Sequence, residues 1–379
     1  MTKVLILGAG LIGKPMALDL IADPEFQIGI ADISSNALNH FQTYDIEKIQ
    51  ADLRDTGRVR QIVSDFDYVI NAVPGFMGYK TLKTVIEAGK HAIDISFYAQ
   101  DPFQLSQLAI DNQVTVICDM GVAPGMSHLL AGYSAAQLEH IHKIIIYVGG
   151  LPVIRSLPWE YKAVFSPTDV IEEYIRPARL IENGQLTVKP ALSESELLDF
   201  PGIGTLEAFN SDGLRSLTQT IKAEYMVEKT LRYPGHIALI HALKQSGFFA
   251  ETPIPFNNTT ISPIEFTQKI LFPQWKLGKG EHDLTVMRIL VDGLTADGNK
   301  KEFCWDLFDR YDPVGEIHSM ARTTGYAATA ALRLLTSGSF SKPGLYLPEQ
   351  IGEDKTNTEF ILNELQKRSV VYTLTETTL

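Results

Sequence analysis

The residues Gly8-Ala9-Gly10-Leu11-Ile12-Gly13 carry the spacing G-x-G-x-x-G. In that pattern the first glycine permits a tight turn, the second lets the backbone approach a pyrophosphate, and the third lets a helix pack close to a sheet. The N–H groups of the first helical turn and the helix dipole then face the phosphates. Pro15 falls early in that helix, where a missing donor is tolerated. A glycine turn used only for packing has the same spacing. What separates the two readings is Asp32, 19 positions after Gly13 at the end of the next strand-like run. An acidic side chain there accepts hydrogen bonds from both ribose hydroxyls and repels a 2′-phosphate. Residues 33–35 are Ile, Ser and Ser, with no cation to hold that phosphate, so NAD is favoured over NADP. Asp32 as a helix N-cap is compatible with the same role.

Further strand ends face the same crevice, because cofactors bind outside the carboxyl ends of the strands. Asp52-Leu53 would flank the adenine, Asn71-Ala72-Val73-Pro74 would run beside the pyrophosphate and ribose, and Asp94-Ile95 would approach the nicotinamide. Each is equally a plain polar cap on a strand end. Redox chemistry also needs a base and substrate contacts. His236 opens a helix, and its position at that N-terminus favours a neutral, basic imidazole; Asp119 and Asp94 are the alternative bases. Arg215 and Arg232 sit at loop junctions and suit bidentate carboxylate binding. Gly121, Tyr161 and Glu172 join them as candidate substrate contacts, Glu172 and its neighbour Glu173 for an ammonium group. The two glutamates are equally exposed helix charges. Cys118 and Cys304 lie in apolar runs without a CxxC or Cys/His cluster, so no metal site is expected.

The elements that must position these residues are of two kinds. Strand-like runs at 3–8, 27–32, 48–53, 67–74, 91–97 and 114–121 alternate with helical patterns at 11–22, 56–66, 78–89 and 103–112. That alternation predicts a Rossmann-type, doubly wound parallel sheet over residues 1–126. Beyond the turn Asp119–Gly125 the pattern changes to strands near 142–149, 160–165, 178–188, 204–210, 219–231, 284–292 and 299–309. Asn183-Gly184 and Asp297-Gly298 read as hairpin turns. Helices are expected near 167–175, 235–246 and 262–271. Residues 127–313 are therefore expected to form an α+β domain with a mainly antiparallel sheet. A long helix at 315–337 is expected to return to the first domain, over about 314–348, and the polar tail to end in an edge strand.

Composition excludes several function classes. Length 379 exceeds what one core usually supports. With 33 basic against 45 acidic residues the net charge is −12, which repels phosphate backbones, so no nucleic-acid partner is expected. No apolar run approaches the ~18 residues of a membrane span, and MTKVLILGAG runs into a strand and a glycine turn without a cleavage site. A cytoplasmic protein is expected, in keeping with so few cysteines.

Longer stretches carry a resemblance. GAGLIG with Asp32, GVAPGMSHLLAG (121–132), YVGGLP (147–152), VFSPTDVIEEYIRPA (164–178), TLEAFNSDGLRSL (205–217) and TLRYPGH (230–236) make the chain resemble the saccharopine dehydrogenase-like group, and within it the lysine 6-dehydrogenases. The glutamate-forming reductases of that group typically carry Asp where Ala123 and Ser127 stand, and Asn-Arg-Asp-Ser where this chain has Asn210-Ser211-Asp212-Gly213. The resemblance implies a Rossmann domain, an inserted α+β substrate domain and a homodimer. It implies NAD-dependent oxidation of the lysine side-chain amine to an aldehyde or cyclic imine plus ammonia; in that chemistry the forked donors of Arg215 and Arg232 would hold the α-carboxylate. A saccharopine-type reductase and a non-catalytic NAD-binding regulatory module are the alternatives.

Overall fold

The computed structural model describes residues 1–164 and 167–378. In chain order the elements begin β1 (Thr2–Leu7), α1 (Gly13–Ile21), β2 (Phe26–Asp32), α2 (Ser35–Asn39), β3 (Glu47–Gln50), α3 (Thr56–Val63), β4 (Tyr68–Asn71), α4 (Gly75–Glu87), β5 (His91–Asp94), α5 (Ser106–Asp111), β6 (Thr115–Ile117) and α6 (Met126–Ala135). Next come β7 (His140–Pro152), α7 (Pro167–Ile175), β8 (Ala178–Glu182), β9 (Gln185–Lys189), β10 (Glu196–Phe200), β11 (Gly204–Asn210), α8 (Leu217–Thr220), β12 (Tyr225–Arg232) and α9 (His236–Gln245). The chain ends with β13 (Ile254–Phe256), β14 (Thr259–Ile261), α10 (Pro263–Trp275), β15 (Asp283–Leu294), β16 (Lys300–Arg310), α11 (Ser319–Thr336), β17 (Gly344–Tyr346), α12 (Pro348–Gly352), α13 (Lys355–Lys367) and β18 (Tyr372–Thr378). No helix among the described residues is long and apolar enough to cross a membrane.

Two compact units result, Met1–Ala136 with Ala321–Val371, and Gln137–Met320 with Tyr372–Leu379. In the first, the strands order as β17-β6-β5-β4-β1-β2-β3 and every pair is parallel. Leu5, Leu7, Val69, Ala92 and Val116 are buried within this doubly wound sheet, as continuous apolar runs require. The expected boundary after residue 126 falls just inside α6, which the structure keeps whole in the first unit. There Gly132 abuts the Glu349 backbone, and a Cβ would lie 2.1 Å from its carbonyl oxygen.

The second unit is built on a mixed sheet ordered β10-β11-β12-β7-β15-β16-β18, with β8 and β9 attached at β12. All its pairs are antiparallel except β7 with β12. Its two faces bury different sets. Ala208 packs with Leu151, Leu231 and Val286, while the next residue, Phe209, packs with Tyr174, Ile237 and Trp275.

Several expected elements differ. No strand forms over 160–164; Ala163 makes one isolated bridge to Lys276, and residue 165 lies outside the described residues. The apolar character there serves burial of Tyr161, Ala163 and Val164 and no ladder. The strand expected over 219–231 starts only at Tyr225, after the short α8. The third strand ends at Gln50, before Asp52-Leu53. The polar tail holds α13, capped by the Asp354 side chain.

One charge network ties three helices of the first unit. Asp19 on α1 accepts from Arg333 of α11 at 2.8 Å and from Arg368 after α13, while Arg368 also donates to Glu364 at 2.9 Å. The Asp19 and Arg333 side chains are each only 8% exposed, so removing one leaves the other charges uncompensated. Asp19→Ala is expected to cost about 3–5 kcal/mol by urea denaturation, against about 0–1 kcal/mol for Arg60→Ala at the exposed pair with Glu87. Equal losses would show that the Asp19 network is not a buried one.

Candidate functional site

The glycine turn follows β1 and opens α1. Gly8 has φ +109°, and a Cβ on Gly13 would lie 1.9 Å from the Gly8 carbonyl oxygen, so both positions demand glycine. Around Gly10 the space is open. Ala9 is buried, while Leu11 is exposed and Ile12 half-buried. Helix α1 has no side-chain N-cap and no acidic residue in its first turn. A dinucleotide pyrophosphate therefore fits this turn: an uncapped, positively polarised helix end stands beside a glycine with room above it.

Asp32 closes the arrangement. Its carboxylate accepts from the Ala9 N–H at 2.7 Å and from the Ser34 N–H at 2.8 Å. The N-cap of α2 is Ser34, not Asp32. Each carboxylate oxygen thus keeps acceptor capacity while its position is fixed on both sides.

The other strand ends divide. Asp52 forms a bidentate pair with Arg54, which pulls its carboxyl down to about 2. Leu53 and Val73 are buried in the core of the first unit. Ala72 donates its N–H to Leu7, and a Cβ on Gly8 would lie 2.6 Å from its carbonyl oxygen. Pro74 starts α4 and is exposed; Ile95 is half-buried. Asn71 and Asp94, adjacent in register, meet below the crevice, where the Asn71 amide donates to Asp94 at 2.6 Å. Burial, and then the nearby Asp119, hold the Asp94 carboxyl well above its ordinary value. Asp94 is fully buried and accepts from Asn71, so it orders the strand ends and is not the accessible group expected of a base. Asp119 sits at φ +54° in the turn before α6, 3% exposed, and Gly121 follows it with its N–H donated to the Asp119 and Pro124 carbonyls.

In the second unit the structure assembles one dense polar cluster. Arg232, at the end of β12, donates from Nη2 to Glu173 at 2.7 Å, from Nη1 to the Leu231 carbonyl at 2.9 Å and from Nε to the Tyr174 hydroxyl at 3.2 Å. Its guanidinium lies 4.5 Å from the centroid of the Tyr161 ring. Tyr174 and His236 Nε2 are 2.9 Å apart, and His236 Nδ1 lies 2.9 Å from the Trp159 carbonyl. A carbonyl only accepts, so Nδ1 carries the proton, Nε2 accepts from Tyr174, and a single hydrogen-bond direction runs from Arg232 to Trp159.

This geometry corrects two expectations. Both ring nitrogens of His236 are used, and burial followed by the Arg232 charge pushes its pKa down to about 3, so it positions Tyr174 and does not serve as a base. Arg232 is 2% exposed and already paired with a carboxylate of its own chain, so it does not stand open for a substrate carboxylate. Glu172 also departs from expectation: it pairs with Arg176 along the helix. Its neighbour Glu173 faces the cluster with its side chain 27% exposed, and burial raises its pKa. Tyr161 is buried against Arg232, His236 and Trp275.

Arg215 is 8% exposed, at φ +42° in the segment between β11 and α8. Near it the structure reveals a residue the sequence did not single out. Glu228 on β12 is 5% exposed, and its carboxyl lies where a Cβ on Gly213 would be, within 1.7 Å. Burial, then Glu173 and Asp212, push its pKa up to about 8. The only local signal was an acidic residue inside an otherwise strand-like run.

Residues 4–117 match the model described as saccharopine dehydrogenase NADP binding domain, and residues 121–371 that of the saccharopine dehydrogenase C-terminal domain. A Pyricularia oryzae protein named saccharopine dehydrogenase (NADP(+), L-glutamate-forming) is 27% identical over 286 residues, covering 71% of this chain and 63% of that protein. The mouse mitochondrial alpha-aminoadipic semialdehyde synthase is 24% identical over 70% of this chain and 30% of its own length. The chain thus spans under two thirds of either relative. The solved structure of apo saccharopine dehydrogenase (L-Glu forming) from Saccharomyces cerevisiae superposes with TM-score 0.83 at 20% identity, over 100% of both chains, which shows the shared fold.

Glu228 binds a proton more tightly when folded than at its ordinary value of 4.5. The stability it contributes is complete below about pH 4.5 and is lost as pH rises through about 8. Glu228→Gln keeps the shape and cannot ionise. Between pH 5 and 9 the variant is expected to gain on wild type by up to about 5 kcal/mol in urea denaturation. Parallel pH profiles would show that Glu228 is not held protonated.

Proposed function

We propose that this chain, which belongs to the saccharopine dehydrogenase family, is an NAD-dependent oxidoreductase that oxidatively deaminates the side-chain amine of L-lysine. The observation that carries the redox reading is the Asp32 carboxylate, fixed between the Ala9 and Ser34 N–H groups at an uncapped helix end. A bound nicotinamide dinucleotide supplies the hydride acceptor. The protein's part is to hold the pyrophosphate at the Gly8–Gly13 turn and the adenosine ribose at Asp32. The anionic carboxylate favours ribose hydroxyls over a 2′-phosphate, and Arg54, beyond the neighbouring strand β3, is paired with Asp52.

In the reaction the amine carbon loses a hydride and its nitrogen a proton, giving an imine. Water adds to that imine and ammonia leaves, so substrate, NAD and water give aldehyde, NADH, ammonium and one proton. Glu173, held by Arg232 yet partly exposed, suits a substrate ammonium. The departures from the reductase pattern support a primary amine in place of a glutamyl adduct. Where those turns carry Ser, Gly213 leaves room that the Glu228 carboxyl fills. Where they carry Asp, Ser127 is wholly buried and bonds His128 at 2.9 Å.

The second reading, saccharopine-type condensation, is favoured by the names of the relatives. A single assay separates them. With L-lysine and NAD at mildly alkaline pH, NADH is expected to accumulate without any oxo acid. Turnover that requires glutamate and a semialdehyde with NADPH would overturn the lysine reading, and no turnover with either would overturn both.

Cofactor choice has its own test. Asp32→Ala is expected to weaken NAD by about 1–3 kcal/mol while NADP affinity holds or rises. Equal weakening of both nucleotides, read by calorimetry, would mean that Asp32 only braces the turn.

A further inference from the structure

We propose that His140, His142 and Glu224 form a surface site for a borderline divalent transition-metal ion, Zn2+ foremost. The three residues come from two strands that pair side by side. His140 and His142 open β7, and Glu224 immediately precedes β12, its N–H donating to the Ile141 carbonyl at 3.1 Å. The strand β7 carries an irregularity here. Lys143 faces Asp292 and Ile141 faces Gly293, so two steps on β7 match one on β15 and the extra residue is His142. Such a bulge re-aims side chains. It leaves the two imidazoles in edge contact, ring centroids 4.8 Å apart.

The donor atoms are gathered closely. His140 Nε2 lies 2.7 Å from Glu224 Oε1, His142 Nδ1 lies 3.4 Å from Glu224 Oε2, and the ligating atoms of all three residues fall within 4.8 Å of one another. Bonds of about 2.0–2.1 Å in a tetrahedron place ligand atoms about 3.3 Å apart, inside that range, so small rotations of exposed side chains complete the set. Two imidazoles and one carboxylate suit zinc, nickel or cobalt and do not suit calcium, which takes oxygen ligands. The side chains are 51%, 34% and 56% exposed, leaving a fourth position open to water. The neighbouring cation, Lys143, is drawn off by Asp292 at 3.1 Å. Glu224 and Arg232 bracket β12, about 26 Å apart along it, so the site stands away from the polar cluster and acts on stability.

The test uses the full chain, stripped with chelator and free of any affinity tag. Calorimetric titration with ZnCl2 is expected to give one ion per chain, a rise in thermal midpoint, and no heat with CaCl2. Titration with Co2+ is expected to give the visible absorption of a low-symmetry nitrogen–oxygen site. His142→Ala and Glu224→Gln are each expected to lower Zn2+ affinity by about 100-fold or more, beyond the loss of an outer hydrogen-bond partner, while Lys143→Ala binds as wild type. No binding by wild type, or unchanged affinity in His142→Ala, would overturn the proposal and leave an ordinary His–Glu ion pair. Should His142→Ala fail to fold, Glu224→Gln alone decides by the same comparison.

Discussion

The contact between Gly13 and the Gly8 carbonyl is the constraint from which the nucleotide-binding unit follows. With a Cβ only 1.9 Å from that oxygen, no other residue closes the turn. The close approach sets the start of α1 directly beyond the end of β1. That start is left without a side-chain cap, so its N–H groups require an external acceptor. Asp32 then bonds the Ala9 N–H from the neighbouring strand and locks the turn to the sheet. Parallel pairing of β1 with β2 and β4 brings Leu7, Ala31 and Asn71 to one level, so one steric contact organises a whole edge.

The second unit depends on a different principle. A buried guanidinium is costly unless its donors are used. Arg232 spends donors on a carboxylate, a carbonyl and a hydroxyl, and the hydroxyl passes the requirement on to His236 and Trp159. The result orients Tyr174 and Glu173 on one helix from a residue on β12. Networks of this kind hold geometry more than they add stability, because the same volume filled with apolar side chains would avoid the desolvation.

The sequence made local order legible and left non-local order hidden. Apolar runs and helical periodicity marked the strands and helices around Gly8–Gly13, since those signals lie within single elements. The three-residue β17 has no periodicity to detect and exists because it pairs with β6. Helix α13 was obscured by its polar face, although Asp354 offered a cap. Tyr161 fell in an expected strand because residues that fill an aromatic cluster resemble residues that fill a sheet. His236 and Arg232 were identified as important from their junction positions, but their roles depended on Tyr174, 58 positions before Arg232. The His140, His142 and Glu224 group required the parallel pairing of β7 with β12, which no short-range pattern announces.

Charge balance explains why the buried acids of the second unit differ. Glu173 touches the Arg232 guanidinium, so one anion answers one cation even though burial opposes it. Asp212 has its own bidentate partner in Arg179. Glu228 sits near both of those anions, and its carboxylate accepts from the Ser211 hydroxyl at 3.4 Å. Burial, and then the Glu173 and Asp212 charges, outweigh the Ser211 hydrogen bond and the Arg215 charge, so the Glu228 pKa is pushed up to about 8. Gly213 is the steric counterpart of that electrostatic arrangement. A side chain there would expel the Glu228 carboxyl from its pocket. The neutral acid and the glycine above it are therefore one feature, and a change at either position alters the charge presented beside Glu173.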